Sequence, residues 1–406
     1  MKRLLFYLII SFILILNPAA ICHSESRLTD SINDGPYVFN VKHKLQAKSI
    51  KNGFLMEDNI TPENFIEIKN RFNLMCTYED LSVNYLKNLN HSQSYNMVDS
   101  IGVISDIHGE YDTYIKLLKA MGIIDNDLHW KFGKGHLVVL GDIFDRGDMV
   151  TEVLWHLFGL EKQAVEAGGM VHVLLGNHEI MTLAENLIFI NEKYKKVEAI
   201  SDTKYFDLYP KNSVLGNWLR SKPVVITIND IIFVHGGISP ELFQKKYKFQ
   251  KINMLFSEKI IGKVLREKNK EQMLLGQNND RTPDKANSTV PDLGKISSNS
   301  ITGKEVTADD ETKELMFLVQ NNGPIWYRGY FTDTDFSESN LDAILDYYNK
   351  KHIVVGHTTS EDINSRFNNK ILGVDAGIGN DQTGEMLIYK NGSFYTGYIT
   401  GTRIKL

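Results

Sequence analysis

Cysteine is nearly absent: the 406 residues hold two, Cys22 and Cys76. If Cys22 leaves with an N-terminal leader, Cys76 stands alone and an intramolecular disulfide is excluded. An exported chain of this kind owes its stability to core burial, and to metal where one is bound, rather than to covalent staples. Cys76 also lacks the glycine-rich loop and following arginine that a cysteine phosphatase needs, so it reads as a small core residue and not a nucleophile. Charge of one sign is missing too. The 45 basic and 50 acidic residues are well mixed and leave a net charge of -5, with no basic stripe, which sets nucleic acid aside as a partner. No internal repeat stands out, and no apolar run has the length of about 20 residues that a spanning helix needs.

The longest apolar run, Leu4–Leu16, covers 13 residues, follows Lys2 and Arg3, and precedes small residues. That layout is a secretory signal over residues 1–24, with a retained membrane anchor as the weaker alternative. Ile21 before Cys22 argues against a lipoprotein. Cleavage would remove Lys2 and Arg3 and take the net charge from -5 to -7. The expected location is the periplasm or medium of a bacterium, or a eukaryotic secretory pathway, with no membrane span left after processing.

An apolar fraction of 42% is enough for a sizeable core, and the length allows one large domain or two ordinary ones. Residues 25–95 read as an N-terminal extension packing on the core, with a hairpin over 38–57 turning at Asn52-Gly53 and a mostly helical 62–95. From residue 96 onward one plan repeats: a short β-branched strand, a charged or polar turn, then helical spacing. Ile101–Ile104 ends in "SDIHG", "LVVL" in "GDIFDRGD", "VHVLL" in "GNHE", "IIFV" in "HGG" and "HIVV" in "GHT". Strands alternating with helices argue for an α/β core, whose reactive groups gather beyond the carboxyl ends of the strands. Residues 182–218, with Tyr194, Tyr205, Phe206, Tyr209 and Trp218, are expected as a helical lid. The polar 276–312 is expected as a disordered insertion. The C-terminal alternation with its Asn391-Gly392 turn is expected as a closing set of strands.

The turns bring Asp106 and His108, then Asp142, Asp145 and Arg146, then Asn177 and His178, with His235 and His357 completing the set. Carboxylate, imidazole and amide oxygen suit a pair of divalent first-row cations. Asp142, with an oxygen for each, is placed to bridge them, and two such ions can share a water, lower its pKa and clamp a phosphate ester. Gly141 lets the backbone turn closely, and Gly147 opens the following loop. Asp145 is placed to hold the imidazole of His178, which then protonates the leaving oxygen as general acid. Arg146 offers a fork of donors to phosphate. Asp148 reads as a solvated turn residue or a helix cap. His156 and His172 are assigned to packing or the surface.

Together these turns resemble the five signature motifs of the phosphoprotein phosphatase family of metallophosphatases. "DGPYVF" near the start, "GPIWYRGYF" at 323–331 and the long helical insertion are similar to its Shewanella-like branch. The resemblance implies a four-layer α/β/β/α metallophosphoesterase sandwich with a helical lid insertion. It implies Asp106, His108 and Asp142 on one metal, and Asp142, Asn177, His235 and His357 on the other. His178 with Asp145 becomes the acid pair, and Arg146 with Arg328 the phosphate binders. The ligand set accepts manganese, iron, zinc or cobalt, manganese being the leading expectation. Ser105 replaces the usual leading glycine, which is tolerable if that position needs no positive φ. The chain lacks the "SAPNYCY"-like segment of eukaryotic serine/threonine phosphatases, and "DAGIGND" stands near its place. The leading expectation is a phosphoprotein phosphatase preferring phosphotyrosine, acting by attack of a metal-bridging hydroxide. A serine/threonine phosphatase or a dinucleoside polyphosphate hydrolase on the same scaffold remains the alternative. A scaffold that has lost catalysis is disfavoured, because the ligands, the acid pair and an arginine are all present.

Overall fold

The computed structural model describes residues 32–87, 89–264, 310–380 and 384–406. The expected signal segment and residues 276–309 of the polar stretch lie outside them. Residues 310–312 instead open a helix, Asp310–Leu318.

The chain begins with an antiparallel meander, β1 (Asp34–Val41), β2 (Lys44–Lys51) and β3 (Phe54–Ile60). One expected hairpin is therefore three strands. The Asn52-Gly53 turn is present with both residues at positive φ, and a second turn of the same hand forms at Lys42-His43 without any glycine. The expected helical content of 62–95 shrinks to α1 (Phe65–Phe72) and a single short turn at Asp80–Ser82. The meander packs onto the main body through buried Tyr37 and Val38, and the Trp155 indole N–H donates to the Pro36 carbonyl at 2.8 Å.

Two six-stranded sheets follow. The first holds β5 (Ser100–Ile104), β6 (His136–Val139) and β7 (Met170–Val173) in parallel, extended on the other side of β5 by β13 (Met386–Lys390), β14 (Ser393–Gly397) and β15 (Arg403–Lys405). The second is ordered β11 (Asn364–Arg366), β12 (Ile371–Gly373), β10 (His352–Val355), β9 (Ile231–Val234), β8 (Val225–Ile228) and β4 (Ser94–Tyr95). The C-terminal strands close both sheets as expected.

Strand periodicity makes these sheets face each other. Side chains two apart share a face. Thus Ile101, Val103, Val138 and Leu140 of the first sheet join Ile226, Ile228, Ile231, Phe233 and Val354 of the second in one buried cluster. The alternate residues, Ile104, Leu137, Val139, Ile232, Val234, Ile353 and Val355, belong to the other cluster with the helices. On that outer side α2 (Tyr111–Ala120) buries Tyr114, Leu117 and Leu118, and α3 (Val150–Glu166) buries Val153, Leu154 and Leu157, the spacing of one helical face. Helix, sheet, sheet, helix is the layer order expected. It directs the carboxyl ends of β5, β6, β7, β9 and β10 to one place.

The 182–218 stretch forms the end of α4 (Asn177–Leu183), α5 (Glu192–Ser201), a short turn at Tyr205–Leu208 and α6 (Val214–Arg220). Tyr194, Tyr205, Tyr209 and Trp218 are each 0% exposed. Tyr209 meets the ring of Phe144 edge-on at 5.1 Å. These aromatics are core and cannot line an open pocket. Cys76 is buried as expected, and burial pushes its thiol up to about 12.

Candidate functional site

Eight of the ten expected site residues are buried where the strands end: Asp106, His108, Asp142, Asp145, Asn177, His178, His235 and His357. So many polar groups out of water must find partners, or the fold loses stability. The backbone is bent to deliver them. Asp106, His108, Asp142, Asp145, Arg146 and His357 all have φ between 47° and 70°. Such conformations are rare for residues with a Cβ and cost about 1–3 kcal/mol each, a strain that clusters at functional sites. Ser105, by contrast, is not among the positive-φ residues, and its hydroxyl donates to Asp106 Oδ2 at 2.5 Å. Gly141 turns at φ 97°, and a Cβ there would stand 2.3 Å from the Gly176 nitrogen, so the close turn read from sequence is required. Gly147 has a different use from the one expected. A Cβ would meet the His108 carbonyl oxygen at 2.3 Å, so this glycine lets two site loops touch rather than opening one.

Asp142 is the centre. Its Oδ1 accepts the His178 backbone N–H at 3.0 Å. Its Oδ2 lies 3.2 Å from His235 Nε2, 3.8 Å from His178 Nε2 and 3.9 Å from His108 Nε2. Three imidazoles converge on one oxygen because each ring is held from behind. His108 Nδ1 pairs with the Phe144 carbonyl at 2.7 Å, His235 Nδ1 with the Leu140 carbonyl at 2.7 Å, and His178 Nδ1 with Asp145 Oδ2 at 2.6 Å. Asn177 places its amide oxygen 2.9 Å from His235 Nε2.

Two groups of donors lie close enough to hold a cation, His108–Asp142–His178 and Asp142–His235–His357, each with its donor atoms within 4.8 Å of one another. Asp142 belongs to both. Within the first group His178 stands where Asp106 was expected. With Nδ1 taken by Asp145, the other nitrogen of His178 turns inward. Asp106 meanwhile accepts the His357 backbone N–H on Oδ2 at 3.0 Å, beside the Ser105 hydroxyl. The donors fit divalent ions on two further counts. His108 Nε2 and His357 Nε2 are buried and have no hydrogen-bond partner. Burial also lowers the pKa of both rings, leaving neutral imidazoles with a lone pair to give. Burial, reinforced by Asp375, pushes the Asp106 carboxyl up to about 8. For Asp142 burial acts the same way, but His235 and His178 outweigh it and hold the carboxyl well down.

The arginines flank this centre. Arg328 is half-buried; it donates to the His357 carbonyl and reaches His357 Nδ1 at 3.4 Å. Burial lowers its pKa, while Asp106, Asp142 and Asp375 draw it upward. Arg146 stands exposed at the rim, donating to Asn380 Oδ1 at 3.3 Å. Asp148 is a solvated turn residue and does not cap α3, whose N-cap is Met149. His156 and His172 are packed away, against Tyr114 and His136.

Sequence alone missed two carboxylates. Glu179 is 0% exposed and accepts four backbone N–H groups, from Asp142, Ile143, Phe144 and Gly176, so it moulds the turn that carries Asp142. Its signal was its place in "GNHE", at the third position of a helix behind a glycine, where a carboxylate reaches back. Asp375 accepts the Thr359 hydroxyl at 2.6 Å and is 3% exposed. It follows the apolar run "ILGV", the same strand-then-acid pattern as the other site turns.

The calcineurin-like phosphoesterase family matches residues 100–361, which spans the five turns that carry Asp106, Asp142, Asn177, His235 and His357 but not the turn of Asp375. The chain is a calcineurin-like phosphoesterase. Shewanella-like protein phosphatase 1 of Plasmodium berghei is 27% identical over 302 residues, 71% of each chain. Shewanella-like protein phosphatase 2 of Arabidopsis thaliana is 33% identical over 192 residues, 37% of this chain and 49% of the relative. A solved cold-active protein-tyrosine phosphatase of a psychrophilic Shewanella species is 33% identical with a TM-score of 0.73, over 92% of this chain and 99% of its own. This calcineurin-like phosphoesterase is therefore a hydrolase of the phosphoprotein phosphatase family, in its Shewanella-like branch. Among its described residues no helix is long and apolar enough to cross a membrane.

Proposed function

We propose that the chain hydrolyses phosphomonoesters on phosphoproteins, phosphotyrosine before phosphoserine, with two divalent cations, manganese first, held by Asp106, His108, Asp142, Asn177, His235 and His357. The observation that carries this reading is Asp142, whose Oδ2 faces His235, His178 and His108 Nε2 at 3.2, 3.8 and 3.9 Å, with His178 held at Nδ1 by Asp145 and so kept as the acid rather than as a ligand. Two cations in such a site supply positive charge to the phosphoryl oxygens and a water of lowered pKa. The chain's own groups do the rest. Arg146 and Arg328 bind the remaining phosphoryl oxygens, and the hold of Arg328 on the His357 carbonyl fixes its fork in advance. His178 gives the proton on Nε2 to the leaving oxygen while Asp145 keeps Nδ1 protonated and the ring aimed. Burial opposes a charged His178, but Asp142 and Asp145 outweigh it, so its pKa is raised and the acid form is favoured.

The preference for phosphotyrosine is supported by the solved relative that is itself a protein-tyrosine phosphatase. The test is phosphate release from matched phosphotyrosine and phosphoserine peptides with manganese present. Faster release from phosphotyrosine is expected. Equal rates refute the preference, and cleavage of diadenosine tetraphosphate without peptide cleavage refutes the phosphoprotein reading.

A further inference from the structure

Between α4 and α5 the chain runs Leu187, Ile188, Phe189, Ile190. Leu187 packs against the core and Ile190 is buried in it. Phe189 is half-buried yet is not part of that packing, and Ile188 is 60% exposed. Among the described residues, the ring contact of Phe189 is with His178, centroid to centroid 5.3 Å at an interplanar angle of 47°. Two hydrogen bonds hold this segment to the phosphate side of the site. The Phe189 carbonyl accepts the Arg146 N–H at 3.1 Å, and the Asn191 amide donates to the Arg146 carbonyl at 2.5 Å. Asn191 in turn caps α5 by accepting the Lys193 N–H at 2.8 Å. The backbone of Arg146 is thus tied to the segment whose ring meets the His178 imidazole.

We infer that Phe189, with Ile188 beside it, is the wall against which an aromatic leaving group packs, and so is a specificity-determining residue; the inference rests on the phosphomonoesterase reading of the site. The leaving oxygen must come within hydrogen-bond reach of His178 Nε2 to receive its proton. Asp142 and the donor groups occupy the inner side of that nitrogen, so the organic part of the substrate points outward past the imidazole. What it meets there is the apolar ring of Phe189, set against the His178 imidazole. A phenyl ring attached directly to the leaving oxygen reaches that wall and packs on it at an angle, as aromatic pairs prefer. The single methylene of an alkyl phosphate such as phosphoserine is too short to cover the same surface.

The experiment compares phenyl phosphate with ethyl phosphate on manganese-loaded protein, as wild type, Phe189→Ala, Phe189→Leu and Phe189→Tyr. Phe189→Ala is expected to lower the aryl-over-alkyl ratio of kcat/KM by about 3- to 10-fold, chiefly through the KM for phenyl phosphate. Phe189→Tyr, which keeps the ring, is expected to hold the ratio, and Phe189→Leu to fall between. The alkaline limb of the pH profile should not move, because a wall does not alter the acid. An unchanged ratio in Phe189→Ala and Phe189→Leu overturns the inference. So does an equal loss on both substrates with a shifted limb, which would make Phe189 a support for His178. A wild type without preference for phosphotyrosine peptides would contradict the proposed function alone, because the aryl-over-alkyl ratio reads Phe189 separately.

Discussion

Lys193→Met takes an ammonium away from two carboxylates and a carbonyl. Lys193 Nζ lies 3.0 Å from Asp34 Oδ1 and 3.6 Å from Glu152 Oε1, and it donates to the Asp148 carbonyl at 2.6 Å. The Asp34 side chain is wholly buried, that of Lys193 is 14% exposed and that of Glu152 is 32% exposed. Removing one partner of a buried pair costs about 3–5 kcal/mol, because the other charge stays buried and uncompensated. Asp34 keeps the Tyr37 hydroxyl, and Glu152 keeps some water, so the lower end of that range, about 3 kcal/mol, is expected. Urea unfolding with a chelator present, so that bound metal adds nothing, should show a lower midpoint at unchanged slope. A double-mutant cycle with Asp34→Asn should return a coupling of about 1–3 kcal/mol. The loss should also shrink in acid. Burial already raises the Glu152 pKa against the pull of Lys193, and without the lysine the rise is larger. The folded variant then binds more protons than the unfolded chain above the ordinary carboxylate range, so its stability increases as pH falls from about 7 toward 5. A loss below about 0.5 kcal/mol, or no coupling to Asp34, would refute the reasoning that Asp34 and Lys193 form a buried pair joining β1 to α5.

Asp145→Asn should lower kcat by about 10²- to 10⁴-fold and move the alkaline limb of the rate profile to lower pH. Burial depresses the His178 pKa while Asp142 and then Asp145 raise it, so losing Asp145 empties the acid form earlier; a limb that stays put contradicts the acid assignment. Asp375→Asn should raise the melting temperature of the metal-free protein by about 2 °C, because burial and Asp375 together push Asp106 up, and weaken manganese binding about 10-fold. Calorimetry reads both, and tighter binding would refute the role given to that charge. Cys76 should resist iodoacetamide at about pH 8 until the protein unfolds, since a thiol raised to about 12 leaves a thiolate fraction on the order of 10⁻⁴. Rapid labelling of the folded chain would contradict its placement in the core.

The site was legible in the sequence because its signal is local. Each cluster sits at the end of a β-branched run, and the strand expected over Ile101–Ile104 is present with one residue more. Which of the five strands joins which of the two sheets was not legible, because pairing joins residues far apart in sequence. Turn chemistry explains another miss. Asn52-Gly53 announced itself, whereas Lys42-His43 adopts φ of 50° and 66° with no glycine to betray it, so β1 went unseparated from β2. The aromatics of 182–218 could not be assigned from spacing, which is the same for a pocket wall and a packed layer. Contact with Phe144 and Tyr37 puts Tyr209 in the layer, while Phe189, which no periodicity distinguishes, is the ring that reaches His178. The contact expected between Asp145 and His178 is present: Asp145 stands three residues past Asp142, yet holds the imidazole rather than joining the shared carboxylate.

The most direct test of the central claim, that Asp142 serves two cations at once, is metal content measured beside phosphate release. Protein dialysed against manganese should retain about two ions per chain, and a chelator should remove them together with activity. Asp142→Asn should retain fewer ions and release phosphate only at background. Two retained ions and undiminished release in Asp142→Asn, or release that survives the chelator, would contradict the account.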